Sequence, residues 1–152
     1  MNKIVHCFWS DALREVWKNK NIKTNFKEFF HSSLNALYLS VLYAKKWSFK
    51  VEIVTSVNSS KHFKDLPIDK ISLELEFLTY SQKSWIEGKM LTISRQTEPF
   101  IYIDWNIVLI EKNIVEIIKK CKEDFIVASH YNIIFNYNYK TGIEVNFRDL
   151  KI

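Results

Sequence analysis

The sequence predicts an α/β protein: an open, mostly parallel β-sheet with helices on both faces and a β-hairpin towards the C-terminal end. Strand-like and helix-like segments alternate along the chain, which is the pattern of a layered α/β fold. Several strand-like segments are continuously apolar, as expected of strands covered on both faces. Of the 152 residues 47% are apolar and only 2 are Gly, so a single domain over residues 1–152 with a sizeable core is expected.

The first third of the chain predicts a βαβ unit. Residues 4–9 form a short apolar run typical of a buried strand, and the polar stretch 10–31 is expected to be a long connection. Ser32 or Ser33 can cap a helix that ends near Lys46, because its apolar residues recur every three or four positions. The second strand, residues 51–55, is expected to run parallel to the first.

The rest of the chain predicts further elements of both kinds. Residues 71–77 alternate between apolar and polar, which indicates a half-exposed strand near a sheet edge. Residues 100–103 are continuously apolar and follow Pro99, which ends the preceding helix. The other predicted elements are helices at 58–65, 85–96 and 114–121, a covered strand at 125–128, and a hairpin formed by 131–139 and 143–147.

The net charge of +5 raises the question of a nucleic-acid partner. Of the 22 basic residues only Arg14, Arg95 and Arg148 are arginines, and arginine is the usual residue for bidentate phosphate and base contacts. A basic nucleic-acid-binding domain that uses aromatic residues such as Trp17 and Tyr131 is therefore the less favoured alternative.

The cysteine content and the lengths of the apolar runs are used to predict the cellular location. Cys7 and Cys121 lie in separate apolar runs without a CxxC spacing, so they are interpreted as buried thiols and not as a disulfide or zinc ligands. No apolar run approaches the ~18 residues that a membrane-spanning helix needs. We therefore expect a cytoplasmic protein without a membrane span.

Polar residues follow three of the predicted strands, and in an open α/β sheet ligands bind beyond the carboxyl ends of the strands. These residues are Ser10 and Asp11, Thr55 and Ser56, and Asp104 to Asn106. Asp104 and Asn106 form a D-x-N pair whose oxygen atoms could share Mg²⁺ or Mn²⁺ if the segment is extended. The same spacing is common in turns, where Asp and Asn bond locally.

The helix before Asp104 carries two further notable residues. Lys89 could reach a diphosphate or a sugar, although exposed lysines are common on helices. Gly88 precedes it inside the helical pattern, where glycine costs roughly 1 kcal/mol relative to alanine. Its presence there predicts close packing of the helix backbone.

The segment from Trp85 to Leu109 contains W-I-E-G-K followed by E-P-F-I-Y-I-D-W-N-I-V-L. It resembles bacterial glycosyltransferase-like proteins of the GT-A type, in which a W-x-x-G-K helix leads to P-F, an apolar strand and I-D-x-D. The start of the chain is also similar, through a first strand that ends in F-W-S and a second strand that ends in V-T. The resemblance covers most of residues 4–130.

The resemblance implies a domain that binds a nucleotide-sugar donor with Mn²⁺ or Mg²⁺ and transfers the sugar to an unidentified acceptor. By this likeness Asp104 and Asn106 occupy the metal and diphosphate positions, and Lys89 contacts the sugar or phosphate beside Asp104. Ser10 and Thr55 occupy the nucleoside edge by the same likeness.

Two departures from the family pattern leave a second interpretation open. Asn106 stands where the family has a carboxylate, and no residue of the sequence is identified as the base that activates an acceptor hydroxyl. The alternative is a catalytically inactive or truncated nucleotide-sugar-binding module. If a second half of the sheet is missing, the exposed apolar edge predicts association into a homodimer.

Overall fold

The computed structural model describes residues 2–19, 25–78, 84–120, 126–128, 134–137 and 144–146. Four strands form an open parallel sheet in the order β3-β2-β1-β4, which with its helices is an α/β architecture of the Rossmann-like type. The strands are β1 (Lys3–Cys7), β2 (Lys50–Val54), β3 (Lys70–Ser72) and β4 (Ile101–Tyr102). The predicted fold class is confirmed.

Helices cover both faces of this sheet because successive side chains of β1 point to opposite sides. Ile4 packs in one buried cluster with Leu37. Val5 and Cys7 pack in a second cluster with Leu75. The helices are α1 (Ser10–Asn19), α2 (Phe26–Lys46), α3 (Val57–Ser60), α4 (Ser84–Ser94) and α5 (Lys112–Lys120), with a 3₁₀ helix at Glu74–Phe77.

The stretch after β1, predicted as a long polar connection, begins with the helix α1. In α1, Leu13 is fully buried, so this polar stretch has one apolar face that packs on the core. Helix α2 begins before the predicted serine cap, because the side chain of Asn25 accepts a hydrogen bond from the Glu28 amide at 2.9 Å. Ser33 lies inside the helix, where its hydroxyl donates to the Phe29 carbonyl.

The prediction of a strand over residues 71–77 is wrong beyond Ser72. The chain leaves β3 and forms the 3₁₀ helix, and the Leu75 amide donates to the Thr55 carbonyl at 3.1 Å. Leu75 is 1% exposed, whereas Phe77 is 86% exposed. The alternating pattern placed both residues on one face of a strand, but the tight turn directs only Leu75 into the core.

A second sheet follows α5 and is antiparallel, with β5 (Ile126–Ala128), β6 (Ile134–Tyr137) and β7 (Glu144–Asn146) in sequential order. The predicted hairpin is the pair β6–β7. Strand β5 pairs with β6 and not with the parallel sheet. Cys121 and Tyr131 lie outside the described residues, whereas Cys7 is buried as a free thiol. In the described part of the chain, none of the helices combines the length and the apolar character needed to cross a membrane.

Candidate ligand site at the carboxyl edge of the sheet

Hydrogen bonds that involve hydroxyl groups connect the segments that follow β1 and β2. Thr55 follows β2, is fully buried, and donates its hydroxyl to the Phe8 carbonyl at 2.6 Å. Ser10 follows β1, and its amide donates to the hydroxyl oxygen of Ser59 at 2.9 Å. Thr55 therefore holds the sheet edge in place from within, whereas Ser10 lies at its surface and is partly exposed.

The end of β4 carries an ion pair between Lys89 and Asp104. The Lys89 ammonium lies 2.8 Å from each oxygen of the Asp104 carboxylate. The hydroxyl of Tyr102 donates to Oδ1 of the same carboxylate at 3.0 Å. The side chains of Lys89 and Asp104 are 24% and 32% exposed, so the pair is accessible from solvent while Tyr102 supports it from the sheet.

Helix α4 approaches β1 closely at Gly88, and this contact positions Lys89. A Cβ atom at Gly88 would lie 3.4 Å from Cε3 of Trp9, 3.5 Å from Sγ of Cys7 and 3.7 Å from Cδ2 of Leu75. A larger residue would hold the helix backbone away from these side chains. The close packing predicted for Gly88 is confirmed, and it brings the next residue, Lys89, to the end of the neighbouring strand.

We expect Gly88→Ala to be tolerated and Gly88→Val to be destabilising. The single Cβ of alanine makes contacts of ordinary length and removes a helical glycine, so its effect should lie between neutral and about 1 kcal/mol of stabilisation. The γ-carbons of valine would press on the packed side chains of β1 and cost about 1–3 kcal/mol. Urea unfolding of both variants measures this, and equal stability of the two would contradict the close approach.

Burial keeps the two titratable groups beside the ion pair protonated at neutral pH. Burial raises the pKa of Tyr102 far above its ordinary value, and the nearby Cys7 and Asp104 raise it further. Burial likewise raises the pKa of Cys7 to about 11. Tyr102 therefore acts as a hydrogen-bond donor to Asp104, and Cys7 is a packed thiol without nucleophilic character.

His6 is a buried polar residue behind the same strand end. Its Nδ1 atom lies 2.9 Å from the Ile103 carbonyl, one residue before Asp104, and the side chain is fully buried. Burial lowers its pKa to about 4, against the opposing effects of the Ile103 carbonyl and the Asp104 charge. The imidazole is neutral at pH 7 and fixes the position where β4 leaves β1. The sequence feature that could have indicated this role is the position of His6 in the middle of an apolar run.

The Asp104–Asn106 segment does not have the extended conformation on which the predicted cation site depends. The Ile107 amide donates to the Asp104 carbonyl at 3.0 Å, which closes a turn. Asn106 lies in this turn and is exposed. The spacing i, i+2 therefore does not direct the two side chains to the same side, as it would in an extended strand, and the segment has the turn conformation in which Asp and Asn are common.

The donor set around Asp104 does not fit the divalent cation that the family resemblance implies. Both carboxylate oxygens already lie 2.8 Å from the Lys89 ammonium, so a cation bound to either would lie within roughly 5 Å of that ammonium. At an effective dielectric constant of ~20 the repulsion would be about 7 kcal/mol, unless Lys89 moved away. Within the described ranges, no group of three or more His, Cys, Asp or Glu side chains is arranged to hold a metal ion.

A pocket of about 370 Å³ opens beyond the ends of β1 and β2. Trp9 and Leu75 line its apolar part, and Asp11 and Arg14 of α1 line its polar part. Ser56 also lines it and is joined through Ser59 to Ser10 by hydroxyl contacts of 3.0 and 2.9 Å. Because Trp9 also lies against Gly88, this residue connects the pocket wall to the helix that carries Lys89.

Two of these residues, Tyr102 and Trp9, were not predicted as site residues, whereas Ser56 was expected at the end of the second strand. Tyr102 lies two positions before Asp104, so the spacing could have indicated it. Trp9 is the second residue after Cys7, the last residue of β1. Of the residues suggested for stacking on nucleic acid, Trp17 lies against Phe26 with ring centroids 5.8 Å apart, which favours a packing role.

The fold and the site define an α/β protein with a Rossmann-like parallel sheet and a lysine–aspartate pair at the edge where such sheets bind ligands. The chain belongs to a family of unknown function (DUF6734), which it matches over residues 1–146. No curated protein and no solved structure matches the chain.

Proposed function

We propose that the chain is a glycosyltransferase-like domain that binds a nucleotide-diphospho-sugar at the carboxyl edge of its sheet. The observation that carries this proposal is the contact between Lys89 and Asp104 at 2.8 Å. The two residues are 15 positions apart and belong to the two motifs that resemble the GT-A type. A partly exposed ammonium at this edge is suited to a diphosphate oxygen, because hydrogen bonds between charged groups are the stronger ones.

The pocket beyond the ends of β1 and β2 supports the nucleoside part of the proposal. Its volume of about 370 Å³ lies within the range of small-molecule sites, and it combines an apolar wall with polar and charged side chains. Ser56 lines it, and Ser10 is linked to Ser56 through the Ser59 hydroxyl, on the side where the resemblance expects the nucleoside. Thr55 contributes indirectly in this proposal, because its hydroxyl is already bound to the Phe8 carbonyl.

The proposed reaction is transfer of the sugar to an acceptor hydroxyl. The bond between the anomeric carbon and the diphosphate breaks, a bond to the acceptor oxygen forms, and the nucleoside diphosphate leaves with the charge that Lys89 meets. The base that takes the acceptor proton is not assigned to any residue. A binding module without turnover is the second candidate, and it is favoured by the replacement of a family carboxylate with Asn106.

The proposal predicts that the chain binds UDP-glucose or GDP-mannose and that Lys89→Met weakens this binding by about 10- to 100-fold. The expected loss corresponds to one charged hydrogen bond of about 1.5–3 kcal/mol. Isothermal titration calorimetry measures the affinity, and incubation with either donor followed by detection of released sugar distinguishes turnover from binding alone.

A matched control is Lys112→Met, which removes a lysine that is 73% exposed on α5 and 3.8 Å from Glu116. It should leave the affinity unchanged. Absence of binding for every nucleotide sugar tested, or equal affinity of wild type and Lys89→Met, would refute the proposal. Tight binding of single-stranded RNA in place of nucleotide sugars would favour the basic nucleic-acid-binding alternative.

A further inference from the structure

We propose that this site binds the diphosphate of its ligand without a divalent cation and that the Lys89 ammonium supplies the positive charge instead. The inference rests on the proposed function for the identity of the ligand. It is based on the hydrogen bonds around Asp104, the residue that the sequence pattern predicted to be a cation ligand together with Asn106.

Both oxygens of the Asp104 carboxylate already have partners. Oδ2 accepts from Lys89 at 2.8 Å, and Oδ1 lies 2.8 Å from the same ammonium and accepts from Tyr102 at 3.0 Å. A hard cation such as Mg²⁺ needs oxygen atoms that can turn towards it at a short distance. Tyr102 and Lys89 hold the Asp104 carboxylate facing the Lys89 ammonium, so Asp104 is a positioning residue for that ammonium.

Asn106 lacks the negative charge of the second ligand that a cation would need. Asn106 has a neutral amide in an exposed turn closed by the Ile107 amide, and it carries no charge to replace a second carboxylate. The two side chains that could share a cation in an extended segment are therefore in different surroundings: the Asp104 carboxylate is paired with Lys89, and the Asn106 amide is exposed at the surface.

The Lys89 ammonium is accessible at this edge of the sheet. Its side chain is 24% exposed, so a ligand oxygen can approach the ammonium from solvent. The helix backbone at the preceding residue, Gly88, lies so near β1 that a Cβ atom there would be 3.4 Å from Trp9 and 3.5 Å from Cys7, which places the base of the Lys89 side chain beside the sheet. The chain as a whole has a net charge of +5, which favours the approach of an anion.

Titration calorimetry with UDP-glucose and GDP-mannose in EDTA and then in Mn²⁺ tests this inference. The dissociation constant should agree within about twofold between the two buffers. Lys89→Met should weaken binding by about tenfold or more in both, and Lys89→Arg should recover part of the loss because it restores the positive charge. A gain of about tenfold or more in Mn²⁺ that disappears in Asp104→Asn would overturn the inference.

Two measurements separate failure of the inference from failure of the proposed function. Electron paramagnetic resonance of Mn²⁺ without nucleotide should give the same bound fraction for wild type and Asp104→Asn, and a bound ion lost in the variant would overturn the inference. If neither nucleotide sugar binds in either buffer, the proposed function fails. In that case inorganic pyrophosphate decides: binding in EDTA that Lys89→Met weakens supports the inference, and no binding in EDTA overturns it.

Discussion

Replacing Lys3 and Lys70 together with methionine is expected to destabilise the fold by about 3–5 kcal/mol, because Glu52 would remain as a buried charge without a positively charged partner. Glu52 lies in the middle of β2, and its side chain is 2% exposed. The Lys3 ammonium lies 2.7 Å from Oε2, and the Lys70 ammonium lies 3.0 Å from Oε1. The Ser72 hydroxyl also donates to Oε1 at 2.7 Å.

The pKa of Glu52 gives this prediction a dependence on pH. Burial by itself would raise that pKa, but the hydrogen bonds from Lys3, Ser72 and Lys70 outweigh burial and hold it below the ordinary value of 4.5. A lowered pKa in the folded state means that the stabilisation is present above pH 4.5 and is lost as the pH falls further. In the double variant burial prevails, so the pKa of Glu52 should rise above its ordinary value of 4.5. The folded state then takes up the proton first, so the contribution of Glu52 should improve as the pH falls, and the difference in stability between wild type and double variant should shrink towards acidic pH.

Urea unfolding at neutral pH measures the free energy of both proteins. Lys112→Met is the matched control, because its ion pair with Glu116 is exposed and 3.8 Å long, and such pairs contribute about 0–1 kcal/mol. A double-variant loss no larger than that of the control would show that Glu52 is adequately solvated without its lysines.

Acidification from pH 6.5 to pH 4 is expected to remove about 3 kcal/mol of stability through His6 alone. Burial lowers the pKa of His6 to about 4 from an ordinary value of 6.5. The unfolded chain therefore binds a proton first as the pH falls. The contribution of the neutral imidazole is complete above pH 6.5 and decreases steadily as the pH approaches the folded-state value.

The His6→Asn variant separates this effect from the other acidic groups. Its side-chain amide can take the place of Nδ1 as donor to the Ile103 carbonyl, but it does not titrate. We expect a lower stability at neutral pH from lost packing and a flatter decline towards pH 4 in urea unfolding measurements. Parallel declines for wild type and variant would contradict the assignment of the acid sensitivity to His6.

The predicted and observed folds agree where burial alone decides the structure. The strand around Ile4, the strand around Ile53 and the helix stripe through Leu37 are rich in buried apolar residues, so local composition indicates them. The predictions of the strand over residues 71–77 and of the first residue of α2 are wrong. Leu75 enters the core through a 3₁₀ turn held by the Thr55 carbonyl, and Asn25 starts α2 through a side-chain cap whose advantage over Ser33 depends on packing of the extra turns.

The candidate site shows the same division. The sequence indicated Asp104 at the end of a buried strand and Lys89 on the preceding helix. It also suggested a shared cation for Asp104 and Asn106, which the turn at Ile107 and the contact with Lys89 do not support. Tyr102 and His6 support the same strand end from opposite faces of the sheet, and their roles depend on neighbours that are distant in the chain.

Local apolar patterns are enough to predict the alternation of strands and helices, the parallel sheet and the residues that follow its strands, because burial of apolar surface acts on such patterns. The partners of the Asp104 side chain, by contrast, depend on how distant segments pack. Hydrogen bonds and ion pairs act over about 3 Å, so their partners are set by how closely α4 packs on β1 at Gly88, and no spacing along the chain contains that distance.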